Sequence, residues 1–71
     1  MLSEYIEIAM AKAKYRQIDK YTKYYGEIIP LKGIWATGKT LKECETNLIE
    51  ALTDWVTFRI EIGLPLPRIK R

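Results

Sequence analysis

The octapeptide at residues 33–40, GIWATGKT, matches the pattern G-x-x-x-x-G-K-S/T of a phosphate-binding loop. In such a loop, backbone N–H groups wrap the phosphates, the lysine reaches them and the hydroxyl binds Mg²⁺. The spacer here, Ile34–Thr37, is apolar, aromatic and β-branched, and this composition favours an extended strand. We therefore predict a turn, a strand over Ile34–Thr37, a second turn and a helix cap at Thr40. Nucleotide binding through Gly33–Thr40 remains an alternative.

The sequence contains few residues of the types that catalyse reactions or bind metals. The chain has no histidine, which is the commonest general base and metal ligand, and only one cysteine, Cys44, on the apolar side of a predicted helix. Asp19, Glu27 and Glu43 would form a nuclease-like metal site only if the fold brought them together. We expect no catalytic residue, no metal site and no cofactor, so the chain is predicted not to be an enzyme.

The length of 71 residues predicts one domain over residues 1–71, with an extra N-terminal helix at residues 1–13 and a core at residues 14–69. So short a chain buries only about 60% of its unfolded surface, so self-association into a dimer or tetramer is expected. The net charge is +3, and the basic tail of Arg68, Lys70 and Arg71 is read as a solvated terminus, with nucleic-acid contact as the alternative. Without a long apolar run or a signal sequence, we predict no membrane association and a cytoplasmic location.

Hydrophobic periodicity predicts an α+β fold. Apolar residues recur at spacings of three and four from Leu2 to Ala13, which indicates an amphipathic helix. Three β-rich runs follow, and the short connections between them predict a three-stranded antiparallel meander. The predicted strands are Tyr15–Asp19, Tyr24–Ile29 and Ile34–Thr37.

A long second helix is predicted from Leu41 to about Ile62, packed on one face of the sheet. It begins with a capping box, in which the Thr40 hydroxyl accepts from the Glu43 N–H and the Glu43 carboxylate accepts from the Thr40 N–H. Gly63 and a following proline stop the helix. The alternating Leu-Pro-Leu-Pro stretch after it predicts a short C-terminal edge strand, because proline is excluded from central strands.

Two surfaces are predicted to contact a partner or a second copy of the chain. Small Gly26 and Ala36 suit close approach of the long helix, so the opposite sheet face carries the large side chains. That face is free for a partner unless the first helix covers it. The long helix also has a second apolar stripe, which is either core beneath the first helix or an oligomer contact. The predicted interface residues are Tyr25, Ile29, Trp35, Ile49, Val56 and Ile60.

The stretches YYGEI at residues 24–28, PL-x-GIWATG-x-TL-x-E at residues 30–43 and GLPLP at residues 63–67 resemble the HicB-type antitoxin family. The likeness covers about residues 13–69. It implies a β-β-β-α-β core similar to a reduced ribonuclease H fold, without that enzyme's activity. It also implies a protein partner, a small HicA-type messenger-RNA interferase whose catalytic site the antitoxin occludes.

Members of that family usually carry a C-terminal DNA-binding segment, and this sequence ends at Arg71 without one. We therefore expect no operator binding by this domain alone, and no motif position transfers as a defined toxin contact. The alternative function is a stand-alone oligomeric domain that binds nucleic acid or another partner.

Overall fold

The computed structural model describes residues 2–18, 20, 23–31 and 33–69. The elements are helix α1 (Leu2–Ala11), strands β1 (Ala13–Gln17), β2 (Tyr24–Ile28) and β3 (Trp35–Gly38), and helix α2 (Leu41–Glu61). The strands form an antiparallel sheet in the order β1-β2-β3, and α2 packs on it. The predicted α+β fold, with its meander and long helix, is confirmed.

The boundary between α1 and β1 lies earlier than the sequence predicts. The Lys12 N–H donates to the Ala9 carbonyl oxygen at 3.0 Å and closes the helix, and Ala13 then pairs with Ile28 of β2. Ala13 therefore belongs to the sheet, and β1 starts two residues before the predicted position. Pairing with β2 sets this boundary, and local periodicity contains no information about it. Asp19, one of the three carboxylates considered for a metal site, lies outside the described residues.

Helix α2 begins at the predicted cap, with one different partner. Thr40 is extended, and its Oγ1 accepts from the Glu43 N–H at 3.0 Å. The Glu43 carboxylate accepts from the N–H of Lys39 at 3.0 Å, one residue before the predicted donor. The carboxylate still satisfies a backbone donor beside the positive end of the helix dipole.

The far end of α2 closes with two further backbone bonds. Gly63 adopts φ 79°, a left-handed conformation that favours glycine, and its N–H donates to the Ile60 carbonyl oxygen. The Leu64 N–H donates to the Arg59 carbonyl oxygen at 2.8 Å. Together these bonds form a Schellman motif, which fixes the end of the helix.

The core lies between α2 and the inner face of the sheet, and α1 closes one side. Helix α2 contributes a buried residue every four positions, namely Cys44, Leu48, Leu52 and Val56. Ile28 and Ala36 of the sheet and Ala9 of α1 complete the centre of the core. The small residues let the helix approach closely, and the Cys44 thiol donates to the Ala36 carbonyl oxygen at 3.6 Å.

Residues 64–69 have no regular secondary structure, so the predicted C-terminal edge strand does not form in this described segment. Pro65 and Pro67 have no N–H to donate to a ladder. Their carbonyls anchor the segment instead. Arg59 donates to the Pro65 oxygen through Nε at 3.1 Å and Nη2 at 2.9 Å, and the Tyr5 hydroxyl donates to the Pro67 oxygen at 2.6 Å.

Candidate functional site

The outer sheet face, the side of the sheet turned away from α2, carries two rows of side chains. The strand register places Lys14, Glu27 and Trp35 in one row and Arg16, Tyr25 and Thr37 in the other. Trp35 is 55% exposed, and α1 lies against α2 rather than over this face. The predicted placement of Tyr25 and Trp35 opposite the long helix is confirmed, and the alternative of a covering first helix is not observed.

Three side chains of this face form a continuous stack. The Tyr25 and Trp35 rings lie 6.1 Å apart between centroids, with an interplanar angle of 19°. The Arg16 guanidinium carbon lies 5.1 Å from the centroid of the Tyr25 ring. Stacked aromatic rings and a cation over a ring each add attraction beyond their buried area. The three groups therefore hold one another in place on the outer sheet face.

Glu27 supplies the acidic group of the outer sheet face. Its Oε2 accepts from the Tyr25 hydroxyl at 3.3 Å. Partial desolvation raises the pKa of the Tyr25 hydroxyl, and the neighbouring Glu27 carboxylate raises it further. Tyr25 is therefore a neutral hydrogen-bond donor at physiological pH.

Two shallow recesses flank the ridge made by Tyr25 and Glu27. One, of about 270 Å³, lies beside Trp35 and ends at Gly33. The other, of about 220 Å³, lies on the side of Lys14 and Arg16. Ile29 lines both recesses, so the structure brings Tyr25, Ile29 and Trp35 together as the sequence predicts. A ridge with a recess on either side can receive protruding side chains of a protein partner.

The helix residues predicted at an interface do not form one patch. Val56 is 1% exposed and belongs to the core, so the sequence-based assignment of Val56 to an interface is wrong. Its spacing of four from Leu52 keeps it in the buried stripe of α2. Ile49 and Ile60 are exposed, but they lie eleven residues apart along the helix. Val56, which lies between them, is buried, so the two do not form a continuous patch.

Sequence reasoning missed two contributors to this site. Arg16 was not assigned a role, although strand alternation places it beside Tyr25 once β1 is paired correctly with β2. Asn47 of α2 donates through Nδ2 to the Thr37 carbonyl oxygen at 2.8 Å and so fixes β3 to the helix. No local pattern in the sequence indicates this bond, because it joins residues ten positions apart.

The phosphate-loop letters fall on a strand and a helix cap. The prediction of an extended spacer is confirmed with a shift of one residue, since Trp35–Gly38 form β3 and pair with β2. Gly33 adopts φ 94° in the turn before the strand. The Lys39 N–H and the Thr40 hydroxyl are both engaged in the cap of α2.

The described part of the chain offers neither a cluster of metal ligands nor a membrane span. No group of three or more Cys, Asp or Glu side chains in that part is placed to hold a metal ion. No helix within the described ranges is long and apolar enough to cross a membrane.

Comparison with known proteins places the chain among its relatives. Residues 4–67, which include all three strands and the whole of α2, match the family model described as UPF0150-like. The crystal structure of TTHA0281 from Thermus thermophilus is similar, with a TM-score of 0.92 and 50% sequence identity over 99% of this chain and 92% of that chain. No curated protein matches the chain. The chain therefore belongs to the UPF0150-like family.

Proposed function

We propose that this chain is a non-catalytic, HicB-like antitoxin domain that binds a small HicA-type messenger-RNA interferase and occludes its catalytic site. The resemblance of residues 24–43 to HicB-type antitoxins supports the identity of the partner. The stacked and uncovered outer sheet face is the observation that carries the proposal. Because messenger RNA is the toxin's substrate, the complex is proposed to act in the cytoplasm.

The composition of the outer sheet face suits a protein partner. Aromatic residues and arginine are enriched in the centres of protein interfaces, whereas most other charged residues lie at the rim. Here Tyr25 lies on the central strand, with the Trp35 ring stacked on it from β3 and the Arg16 guanidinium from β1. Exposed Ile29 adds apolar surface next to Trp35.

The arrangement also suggests how the partner is held. A side chain of the toxin enters the recess beside Trp35, where the ring and Ile29 desolvate it. Opposite charges, Lys14 and Arg16 on one side of the ridge and Glu27 within it, then set the orientation of the partner. Because the stack is already formed, little side-chain entropy is lost on binding.

Co-expression with the product of the adjacent reading frame tests the proposal. We expect a stable complex and rescue of growth by the unmodified chain. Ile29→Ala and Trp35→Ala should each weaken the complex by about tenfold or more, the cost of truncating a central interface residue. Binding is measured by isothermal titration calorimetry with the purified proteins.

Ile60→Ala is the matched control for Ile29→Ala. Ile60 is 48% exposed and Ile29 is 52% exposed, but Ile60 lies on α2, away from the outer sheet face. Ile60→Ala should leave affinity for the toxin unchanged. Absence of any complex, or equal losses for Ile29→Ala and Ile60→Ala, would contradict the proposal.

A second candidate function, binding of single-stranded nucleic acid, uses the same face. Arg16 lies beside Tyr25, and Lys14 shares the face with the stacked Tyr25 and Trp35 rings. Cations near stacking platforms are the combination that such proteins use. Glu27 between them repels phosphates. This candidate predicts RNA binding that weakens steeply with salt and is lost in Arg16→Ala. A flat salt response in a fluorescence anisotropy titration removes it.

A further inference from the structure

The recess beside Trp35 has the composition of a site for one amphipathic side chain. The buried part of its lining is aliphatic, since Ile28, Leu31 and Ile34 are each at most 4% exposed. The exposed Trp35 ring and the Glu27 carboxylate complete the lining. At about 270 Å³ the recess lies below the usual size of pockets for drug-sized ligands, so it suits a single side chain.

Glu27 gives this recess a negative charge that can accept further hydrogen bonds. Its Oε2 accepts from the Tyr25 hydroxyl at 3.3 Å. The two oxygens of a carboxylate offer about four lone-pair positions, and this bond occupies one of them. Tyr25 therefore fixes the carboxylate without exhausting its capacity to accept.

The two recesses of the outer sheet face differ in the charges that line them. Among the described residues, Lys14 and Arg16 line the recess on the β1 side, and Glu27 is the one charged residue that lines the recess beside Trp35. A cation that approaches this face is repelled on the β1 side and attracted on the Trp35 side. Charge therefore directs a basic group into the recess beside Trp35.

The chain already forms a comparable contact within its own fold. The Arg59 guanidinium lies 4.9 Å from the Trp55 ring, and its N–H groups donate to the Pro65 carbonyl oxygen. An indole ring and an oxygen acceptor thus hold one guanidinium together. The recess presents the same two kinds of group, the Trp35 indole and the Glu27 carboxylate, to a guanidinium from another molecule.

We propose that the recess beside Trp35 binds an arginine side chain of the protein partner, with the guanidinium on the Trp35 ring and paired with the Glu27 carboxylate. Arginine suits the recess better than lysine, because a planar guanidinium stacks on aromatic rings and donates two parallel hydrogen bonds to a carboxylate. The methylene stem of the arginine covers the aliphatic part of the lining.

This inference rests on the proposed function, because it names a contact of the toxin that the chain occludes. A protein that binds messenger RNA has to present cations to the phosphates. An arginine that holds a phosphate in the free toxin pairs with Glu27 in the complex. The carboxylate then takes the place of the phosphate, so the toxin cannot hold RNA and this domain at the same arginine.

Titration of the full chain with N-acetyl-arginine amide tests the recess in the absence of the toxin. In two-dimensional NMR spectra of the ¹⁵N-labelled chain, the Trp35 indole and the Glu27 backbone N–H should shift together and saturate. For so small a ligand we expect a dissociation constant on the order of millimolar. The amide of N-acetyl-citrulline has nearly the same shape but no charge, and it should bind about tenfold more weakly or worse.

Glu27→Gln should weaken binding of the arginine amide by about tenfold, because it removes the charge and keeps the shape. Glu61→Gln is the matched control, since Glu61 is exposed at the far end of α2, and it should bind as the unmodified chain does. Absence of saturable shifts at Trp35, or equal affinities for the arginine and citrulline amides, would overturn the inference. Equal affinities of Glu27→Gln and the unmodified chain would overturn it as well.

Isothermal titration calorimetry with the toxin separates this inference from the proposed function. Glu27→Gln should weaken the complex by about tenfold. Replacing one toxin arginine by glutamine should cause a similar loss with the unmodified chain and no further loss with Glu27→Gln, as a double-mutant cycle measures. A complex unaffected by Glu27→Gln would overturn the arginine contact and leave the proposed function standing. Absence of any complex would refute the proposed function, and the amide titration would still decide whether the recess binds a guanidinium.

Discussion

Two glycines of the sheet set how closely α2 approaches it. A Cβ at Gly38 would collide with the backbone at the start of the helix, 2.8 Å from the Cys44 Cα and 2.9 Å from the Glu43 carbonyl carbon. A Cβ at Gly26 would meet side-chain atoms instead, 2.8 Å from the Tyr15 ring and 3.2 Å from the Cys44 sulfur. Side chains can move aside, but a helix backbone held by its cap cannot.

Gly38→Ala should therefore destabilise the fold more than Gly26→Ala does. We expect a loss of about 3 kcal/mol in the free energy of unfolding for Gly38→Ala and about 1 kcal/mol for Gly26→Ala, within the range of overpacking. Urea denaturation followed by circular dichroism measures both. Lys39→Ala, at an exposed position next to Gly38, serves as the control and should change little. Equal losses at the two glycines would contradict this explanation of the close approach.

At the scale of elements, the cap of α2 explains why residues 33–40 match the phosphate-loop pattern although they form a strand and a helix cap. Thr40 is the last residue before the helix, and its hydroxyl and the Glu43 carboxylate satisfy backbone donors there. Strand β3 and helix α2 are therefore joined by a turn of only two residues. The short turn also brings Asn47 within reach of the Thr37 carbonyl.

Thr40→Ala should lower the free energy of unfolding by about 1 kcal/mol, the usual cost of losing an N-cap. Thr40→Ser keeps an oxygen in the same place and should cost less than half as much. Thermal or urea denaturation of the three proteins measures the difference. If Thr40→Ser were as unstable as Thr40→Ala, the hydroxyl bond to Glu43 would not be the stabilising contact.

The elements whose signals are local could be predicted from the sequence. The alternation of side chains along the strands and the turn residues between them predict the meander. The capping residues predict the start of α2, and Gly63 predicts its end. Strand alternation also predicted that Tyr25 and Trp35 share the outer sheet face. These features need only neighbours within a few positions along the chain.

Features set by distant packing could not be predicted. Val56 lies in the core, in a cluster that includes Ala9 of α1, and the sequence pattern alone left open whether its stripe packs in the core or on a second copy. Phe58 and Ile62 continue the apolar pattern of α2 but are exposed, because the helix is longer than the strands on which it packs. The sequence pattern does not show this difference in length. Arg16 lies beside Tyr25 because of the register between β1 and β2, which the sequence does not give.

At the scale of the whole molecule, burial makes the fold sensitive to alkaline pH. Desolvation raises the pKa of the Cys44 thiol above 9.0, and it raises the pKa values of Tyr5 and Tyr15 above 10.0. A group with a raised pKa holds its proton more tightly in the folded chain. Its contribution to stability is complete below the unfolded pKa and is lost as pH rises through the folded pKa.

We therefore expect the urea midpoint to fall as pH rises above about 9. In Cys44→Ala the loss should begin nearer 10, because only the tyrosines then contribute. The slopes with pH should be compared rather than the absolute stabilities, since removing the thiol also leaves a small void in the core. A midpoint that rises with pH over this range would contradict the assignment.

The hydrogen bond from the Tyr5 hydroxyl to the Pro67 carbonyl oxygen joins residues 62 positions apart, so α1 lies beside the segment that follows α2. A flexible linker could therefore join α1 to the segment after α2 in an engineered variant. New ends could then be opened between β1 and β2. Such a circular permutant would reorder the elements along the chain while preserving their contacts in space, and would show that the architecture does not depend on the order of synthesis.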